Sequence, residues 1–145
     1  MATYVLGMNA GLYQGAAGVT DPATMTEVDN VRDVTLNLEA GEADITTRGN
    51  SGWRATAPTL RECSVEFQMV WNPSDAVFTA IKNAFLGAST VALAILDQLR
   101  TVSGAQGPLG DFAITNFSRN EALEEAIVAD VTAKLSRFEE WHTVS

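Results

Sequence analysis

The chain has 145 residues, 46% of them hydrophobic and 19% charged, with a formal net charge of −9. That composition fits one domain with a core of its own and excludes a disordered chain as the default. The acidity argues against a protein that wraps a nucleic-acid backbone, which needs a basic surface; its plain use is solubility.

A single cysteine, Cys63, leaves no internal disulfide to form. The start, MATYVLGMNAGLYQG, has no basic stretch ahead of an apolar one and does not read as a signal peptide. The longest apolar run, Val91 to Leu96, is too short to span a bilayer. The expectation is a soluble protein with no membrane anchor, made in a cytosol.

Residues 1–29 are rich in Gly, Ala and Thr and nearly free of periodicity. They read as an N-terminal arm or loop, with Leu12 and Tyr13 in at most a short strand and Asp21-Pro22 as a turn starter. Period 2 then sets in. Val34, Leu36 and Leu38 alternate with Asp33, Thr35, Asn37 and Glu39, the pattern of a strand with one wet face. A stronger strand follows in RECSVEFQMVW, with Cys63, Val65, Phe67, Met69 and Trp71 on one face and Glu62, Ser64, Glu66 and Gln68 on the other. Between the two lies TTRGNSGWRAT, Thr46 to Thr56, which is long for a hairpin turn.

NPSDAVFTAIKNAFLG predicts a helix over about residues 73–86. Asn72 is placed as its cap, Pro73 at its first position, and Gly87 at its end. Val77, Ile81 and Phe85, spaced by four, form an apolar stripe that packs a helix onto a sheet. VALAILD, with Leu93 and Ile95, is apolar on both faces and reads as a strand buried on both sides. LRTVSGAQGPLG reads as a loop and DFAITNFS as a strand. EALEEAIVADVTAKLSRF fits helix and strand spacings alike, and local pattern leaves both open. Residues 139–145 read as a short tail. The sum is a mainly β protein: an antiparallel sandwich or barrel with one flanking helix.

No catalytic constellation is visible. The only histidine, His142, lies near the C-terminus, where a general base is poorly held. Cys63 sits on an apolar strand face and behaves as a small hydrophobe. The acidic pairs Glu124-Glu125 and Glu139-Glu140 read as solvated surface, since a glycosidase acid would need a burial-raised pKa. No CxxC, HExxH, EF-hand or phosphate-loop spacing occurs, so neither metal nor cofactor is expected. What stands out is Arg48, Asn50, Trp53 and Arg54 in the long loop, with Arg61 beyond it. Trp and Arg are the residues enriched in protein–protein hot spots, and the acidic remainder favours that use over nucleic acid.

The order of features over NVRDVTLNLEAGEADITTRGNSGWRATAPTLRECSVEFQMVWNPSDAVFTAIKNAFLG resembles the major tail tube proteins of long-tailed bacteriophages, relatives of the type VI secretion tube protein. A Val-rich strand meets an acidic turn, and a D-x-T-x-R strand end (Asp44, Thr46, Arg48) enters a glycine loop. A long alternating strand, an Asn/Asp-Pro-x-Asp helix start and an apolar strand follow. A fainter likeness continues through DFAITNFSRNEALEEAIVADVTAKLS, so the resemblance spans Asn30 to Ser136.

The resemblance implies a tube domain over residues 30–138 and a strand at Ile127–Leu135. It also implies hexameric rings, continuous sheets around a channel, and rings stacked into a tube, with tape-measure and terminator proteins as partners. The long loop would reach the next ring. An electronegative lumen would let DNA pass without sticking. Lumen candidates are Asp33, Asn37, Glu39, Glu62 and Glu66; core candidates are Val34, Leu36, Leu38, Val65, Phe67, Met69, Val77, Ile81, Phe85, Leu93 and Ile95. The place implied is a virion tail assembled in a bacterial host, or a bacterial cytoplasm for a domesticated relative. The competing reading is a monomeric β-barrel carrier of a small ligand, with Phe67, Trp71 and Phe85 as pocket walls.

Overall fold

A computed structural model describes residues 10–121, 123–124 and 126–144. Residues 1–9 of the expected arm, Glu125 of the expected acidic pair and Ser145 of the expected tail lie outside them. The strands are β1 (Gly11–Ala16), β2 (Thr26–Glu27), β3 (Val31–Asp44), β4 (Thr56–Val70), β5 (Thr90–Leu96), β6 (Gln106–Asn120) and β7 (Val128–Thr143), with one helix, α1 (Ala76–Leu86). They form one antiparallel sheet of seven strands in the order β2-β1-β5-β6-β7-β4-β3. The sheet does not close on itself; β2 and β3 are its edges.

The alternation of β4 decides where the core sits. Cys63, Val65, Phe67 and Met69 point to one side, in register with Ala133, Val131 and Ala129 of β7, and all are buried. Helix α1 lies over that side and buries Val77, Phe78, Ile81 and Ala84. Trp71 meets Phe78 edge-on at 4.7 Å, and Phe78 meets Phe117 at 5.8 Å. Trp71 and Phe85, two of the pocket walls named by the carrier reading, pack instead on Phe78 and Phe117. Full burial of a side chain such as Phe78 contributes about 1.5–3 kcal/mol. β5 is buried on both faces, with Val91, Leu93 and Ile95 in the main core. Its Ala92, Ala94 and Leu96 join Tyr13, Met25 and Leu109 in a smaller core on the other side.

Several expectations change. The helix begins at Ala76, not Pro73, because Asn72 Oδ1 accepts from the Ser74 N–H and hydroxyl and closes a turn first; Asp75 is the cap, accepting from the Phe78 N–H at 3.4 Å. The short strand expected at Leu12 and Tyr13 runs over residues 11–16 inside the sheet, with both side chains buried. Arg100 fixes the loop behind that strand. It donates to the carbonyls of Pro22 and Met25 and lies 4.8 Å over the Tyr13 ring. GAQGPLG is mostly strand rather than loop. The ambiguous segment is strand from Val128, and β7 runs on through the supposed tail to Thr143.

Of the core candidates, Val65, Phe67, Met69, Val77, Ile81, Leu93 and Ile95 are buried, and Leu36 is half-buried. Val34, Leu38 and Phe85 are exposed in the single chain. Val34 falls in a bulge between Arg32 and Thr35, and Leu38 lies on the edge strand where nothing covers it. Phe85 sits in the last turn of α1, one face stacked on Phe117 at 6.4 Å.

Candidate subunit interface

β4 pairs with β7 only from Ser64 to Val70, whereas its pairing with β3 continues to Thr56. The far half of the β3–β4 hairpin therefore leaves the body of the sheet as a two-stranded arm. From Leu38 to Asp44 the arm gains about 20 Å at the usual strand rise. An isolated hairpin of that length is marginal in water, and a long unpaired edge invites pairing with another chain.

The loop at the end of the arm is well ordered by its own hydrogen bonds. Ile45 N–H donates to the Ala55 carbonyl at 3.0 Å, and Ala55 N–H donates to the Thr46 hydroxyl at 2.9 Å. Asn50 and Trp53 close a turn in which Trp53 N–H donates to the Asn50 carbonyl at 3.0 Å, with Ser51 at φ 54 and Gly52 at φ 82. Two left-handed central residues make this a type I′ turn, which matches the twist of a hairpin and calls for glycine. Asn50 also donates its side-chain amide to the Trp53 carbonyl, so it holds the turn instead of pointing outward. Hydrogen bonds from Thr46 hold the Asp44 carboxyl below its ordinary range.

This framework presents Arg48, Trp53 and Arg54 to solvent, with Trp53 75% exposed. Ile45 is exposed at the loop's entry, and Leu60, lower on the arm, is 84% exposed. Arg61 is not in the loop; it lies in β4 opposite Ala40. A rigid loop that spends its hydrogen bonds on itself and exposes an indole between two guanidinium groups has the makeup of a docking hot spot.

A second surface comes from the strand face opposite the core. Thr35 pairs with Glu66, Asn37 with Ser64 and Glu39 with Glu62. The row continues through Thr132, Lys134 and Asp130 of β7 to Asn116 and Ser118 of β6. These side chains share one uncovered polar face whose acids, Glu39, Glu62, Glu66 and Asp130, outnumber Lys134. Asp33 sits in the bulge at φ 49 and borders the same face. The five lumen candidates thus fall on or beside one surface. Asp130 and Lys134 belong to it as well; they escaped notice because the segment holding them read equally as helix.

Among the described residues no constellation for chemistry gathers. Cys63 is buried, and burial pushes its thiol pKa up, away from the reactive thiolate. His142 contacts Glu140 at 3.1 Å on the surface. Among the described residues no cluster of three or more His, Cys, Asp or Glu side chains could hold a metal ion, and no helix is long and apolar enough to cross a membrane.

Comparison with known proteins places this geometry. The family model described as phage tail tube protein matches residues 14–136. No curated protein sequence matches the chain. Among solved structures, a chain from the tail of an empty gene transfer agent particle, refined helically with C6 symmetry, superposes with a TM-score of 0.71 at 14% identity, covering 97% of this chain and 98% of that one. The SPP1 tail tube, from solid-state NMR and cryo-EM, gives 0.71 at 13% identity over 97% and 81%. A chain of the anti-feeding prophage baseplate gives 0.60 at 8% over 98% and 96%.

Proposed function

The chain belongs to the phage tail tube protein family, and from that premise we propose that its copies close into six-membered rings that stack into a hollow tube with an electronegative channel. The role is structural, not enzymatic. The observation that carries the reading is the β3–β4 arm. A single chain exposes its apolar side chains and an unpaired edge, and both would be costly to leave in water unless a second copy covers them.

The ring number is supported by the C6 symmetry of a gene transfer agent tail that shares the fold. The polar face of β3, β4, β7 and β6 is our choice for the channel wall, because its excess of carboxylates repels a polyanion and lets it slide. Asp33, Asn37, Glu39, Glu62 and Glu66 would line it. Arg48, Trp53 and Arg54 would contact the next ring. Tape-measure and terminator proteins are proposed partners, and assembly is placed in the cytoplasm of a bacterial host.

Sedimentation velocity of the purified protein tests the proposal. We expect species at six times the 15.5 kDa chain mass and above. A lone monomer boundary persisting at high concentration and in the presence of preformed tube seeds would overturn it.

A further inference from the structure

Below the β3–β4 arm, where β4 leaves β7, the sheet opens into a groove of about 590 Å³. Its apolar lining is Leu38 and Leu60 from the arm, Pro108 from β6, and Leu135, Phe138 and Trp141 from β7. A bulge between Ala40 and Glu42 brings both Thr59 and Leu60 to the groove. Leu38, Leu60, Phe138 and Trp141 are all exposed there. Trp141 already satisfies its indole N–H by donating to Gln106 Oε1 at 3.0 Å, which leaves its ring free for apolar contact. Glu39 and Glu62 stand on the arm side of the groove, with Arg61 beside them in β4.

We propose that this groove seats the Thr46–Thr56 loop of a second copy, with Trp53 entering the apolar lining and Arg48 and Arg54 reaching Glu39 and Glu62 where the groove meets the rim of the channel wall, so that Asp33 and Glu66 remain as the wall's unpaired acids. The inference rests on the loop being an inter-subunit contact and names the surface that receives it. Three observations carry it. The loop contains two arginines and no acidic residue, in a chain of net charge −9, and the groove's arm side carries two carboxylates, Glu39 and Glu62, against one cation, Arg61. A tryptophan anchor of roughly 150–250 Å² needs an apolar seat, and a groove of this size lies within the usual pocket range of about 300–1,000 Å³. The loop begins about 10–14 Å beyond Thr59 and Leu60 on the same paired arm, so it cannot fold back into its own seat. A contact between two different surfaces of identical chains does not close on itself and propagates as a filament.

The test is a disulfide trap in a Cys63→Ala background, mixing a Trp53→Cys chain with a Phe138→Cys chain under mild oxidant. Assemblies are imaged from the same samples. We expect tubes in which the covalent heterodimer forms roughly a hundredfold more readily than in a control pairing Trp53→Cys with Leu86→Cys, an exposed position on α1, as proximity raises effective concentration. Tubes without that excess would overturn the seat and leave the tube reading standing. If the unsubstituted chain forms no ring or tube, both fall. Should the cysteine chains alone fail to assemble, Arg48→Glu/Arg54→Glu provides the second arm. Loss of stacking that Glu39→Arg/Glu62→Arg restores in a mixture supports the seat, and absence of rescue contradicts it.

Discussion

Glu39 lies directly opposite Glu62 in the ladder between β3 and β4. Like charges placed across from each other on two strands oppose pairing. A sequence shaped for monomer stability alone would replace one of them. Glu62→Thr is therefore expected to stabilise the single chain by about 0.5 kcal/mol, read as a rise in the urea midpoint with an unchanged slope. In a tube, the same variant is expected to make the channel less repellent to DNA.

Phe78 and Trp53 make opposite demands. Phe78 is buried between Trp71 and Phe117, so Phe78→Ala should cost about 3–5 kcal/mol of stability through lost contacts and a cavity. Trp53 touches nothing that holds the monomer together; Trp53→Ala should leave the melting transition within about 0.5 kcal/mol of the parent while weakening ring stacking. Circular dichroism melts and electron microscopy of the two variants separate core from interface.

Gly107 has no room for a side chain. A Cβ there would fall 1.6 Å from the Ile95 carbonyl oxygen. Gly107→Ala must push β6 away from β5, and a loss of about 3 kcal/mol or outright failure to fold is expected. Soluble yield and the urea midpoint report it.

That glycine also explains what the sequence concealed. GAQGPLG reads as a loop because glycine and proline punctuate loops, yet Gly107 and Gly110 are glycines because neighbouring backbone crowds them. β1 was legible only as a short strand at Leu12 and Tyr13; its burial inside the sheet comes from β5 and Arg100, partners far away in sequence. By contrast, β4 and β5 were legible, since period 2 and a two-faced apolar run each report their own burial. The helix was legible in its stripe and misplaced at its start, where Asn72 and Asp75 are both competent caps and only the turn through Ser74 decides. Leu38 follows the core alternation, but the surface it faces is open in a lone chain, and at Val34 a bulge interrupts the alternation. The arginines and tryptophan of the loop were visible as residue types, but the groove was not, because its walls come from four strands.

Asp111 ties the first loop to the last strand. Its Oδ1 accepts the Gly18 N–H at 2.9 Å and its Oδ2 accepts Arg137 Nε at 3.0 Å. Arg137 is half exposed, so solvent discounts the ion pair. Asp111→Asn should cost about 1 kcal/mol, and amide exchange at Gly18 should accelerate more than at the helix.

Acid should loosen the interface loop. Thr46 stabilises the ionised form of Asp44, so its folded pKa lies below the ordinary 3.8. The sign follows from linkage: this support is present above 3.8 and is lost as pH falls through the depressed folded value. Exchange protection at Thr46 and Ala55 is expected to drop in that window, and in an Asp44→Asn chain the drop should vanish.

The most direct measurement is cryo-electron microscopy of the purified chain at moderate concentration, with seeds supplied if nucleation is slow. Six-fold rings stacked into hollow tubes, with the β3–β4 arm bridging one ring to the next and Glu39, Glu62 and Glu66 facing the channel, are the expected result. Uniform monomeric particles with the arm free in solvent under both conditions would contradict it.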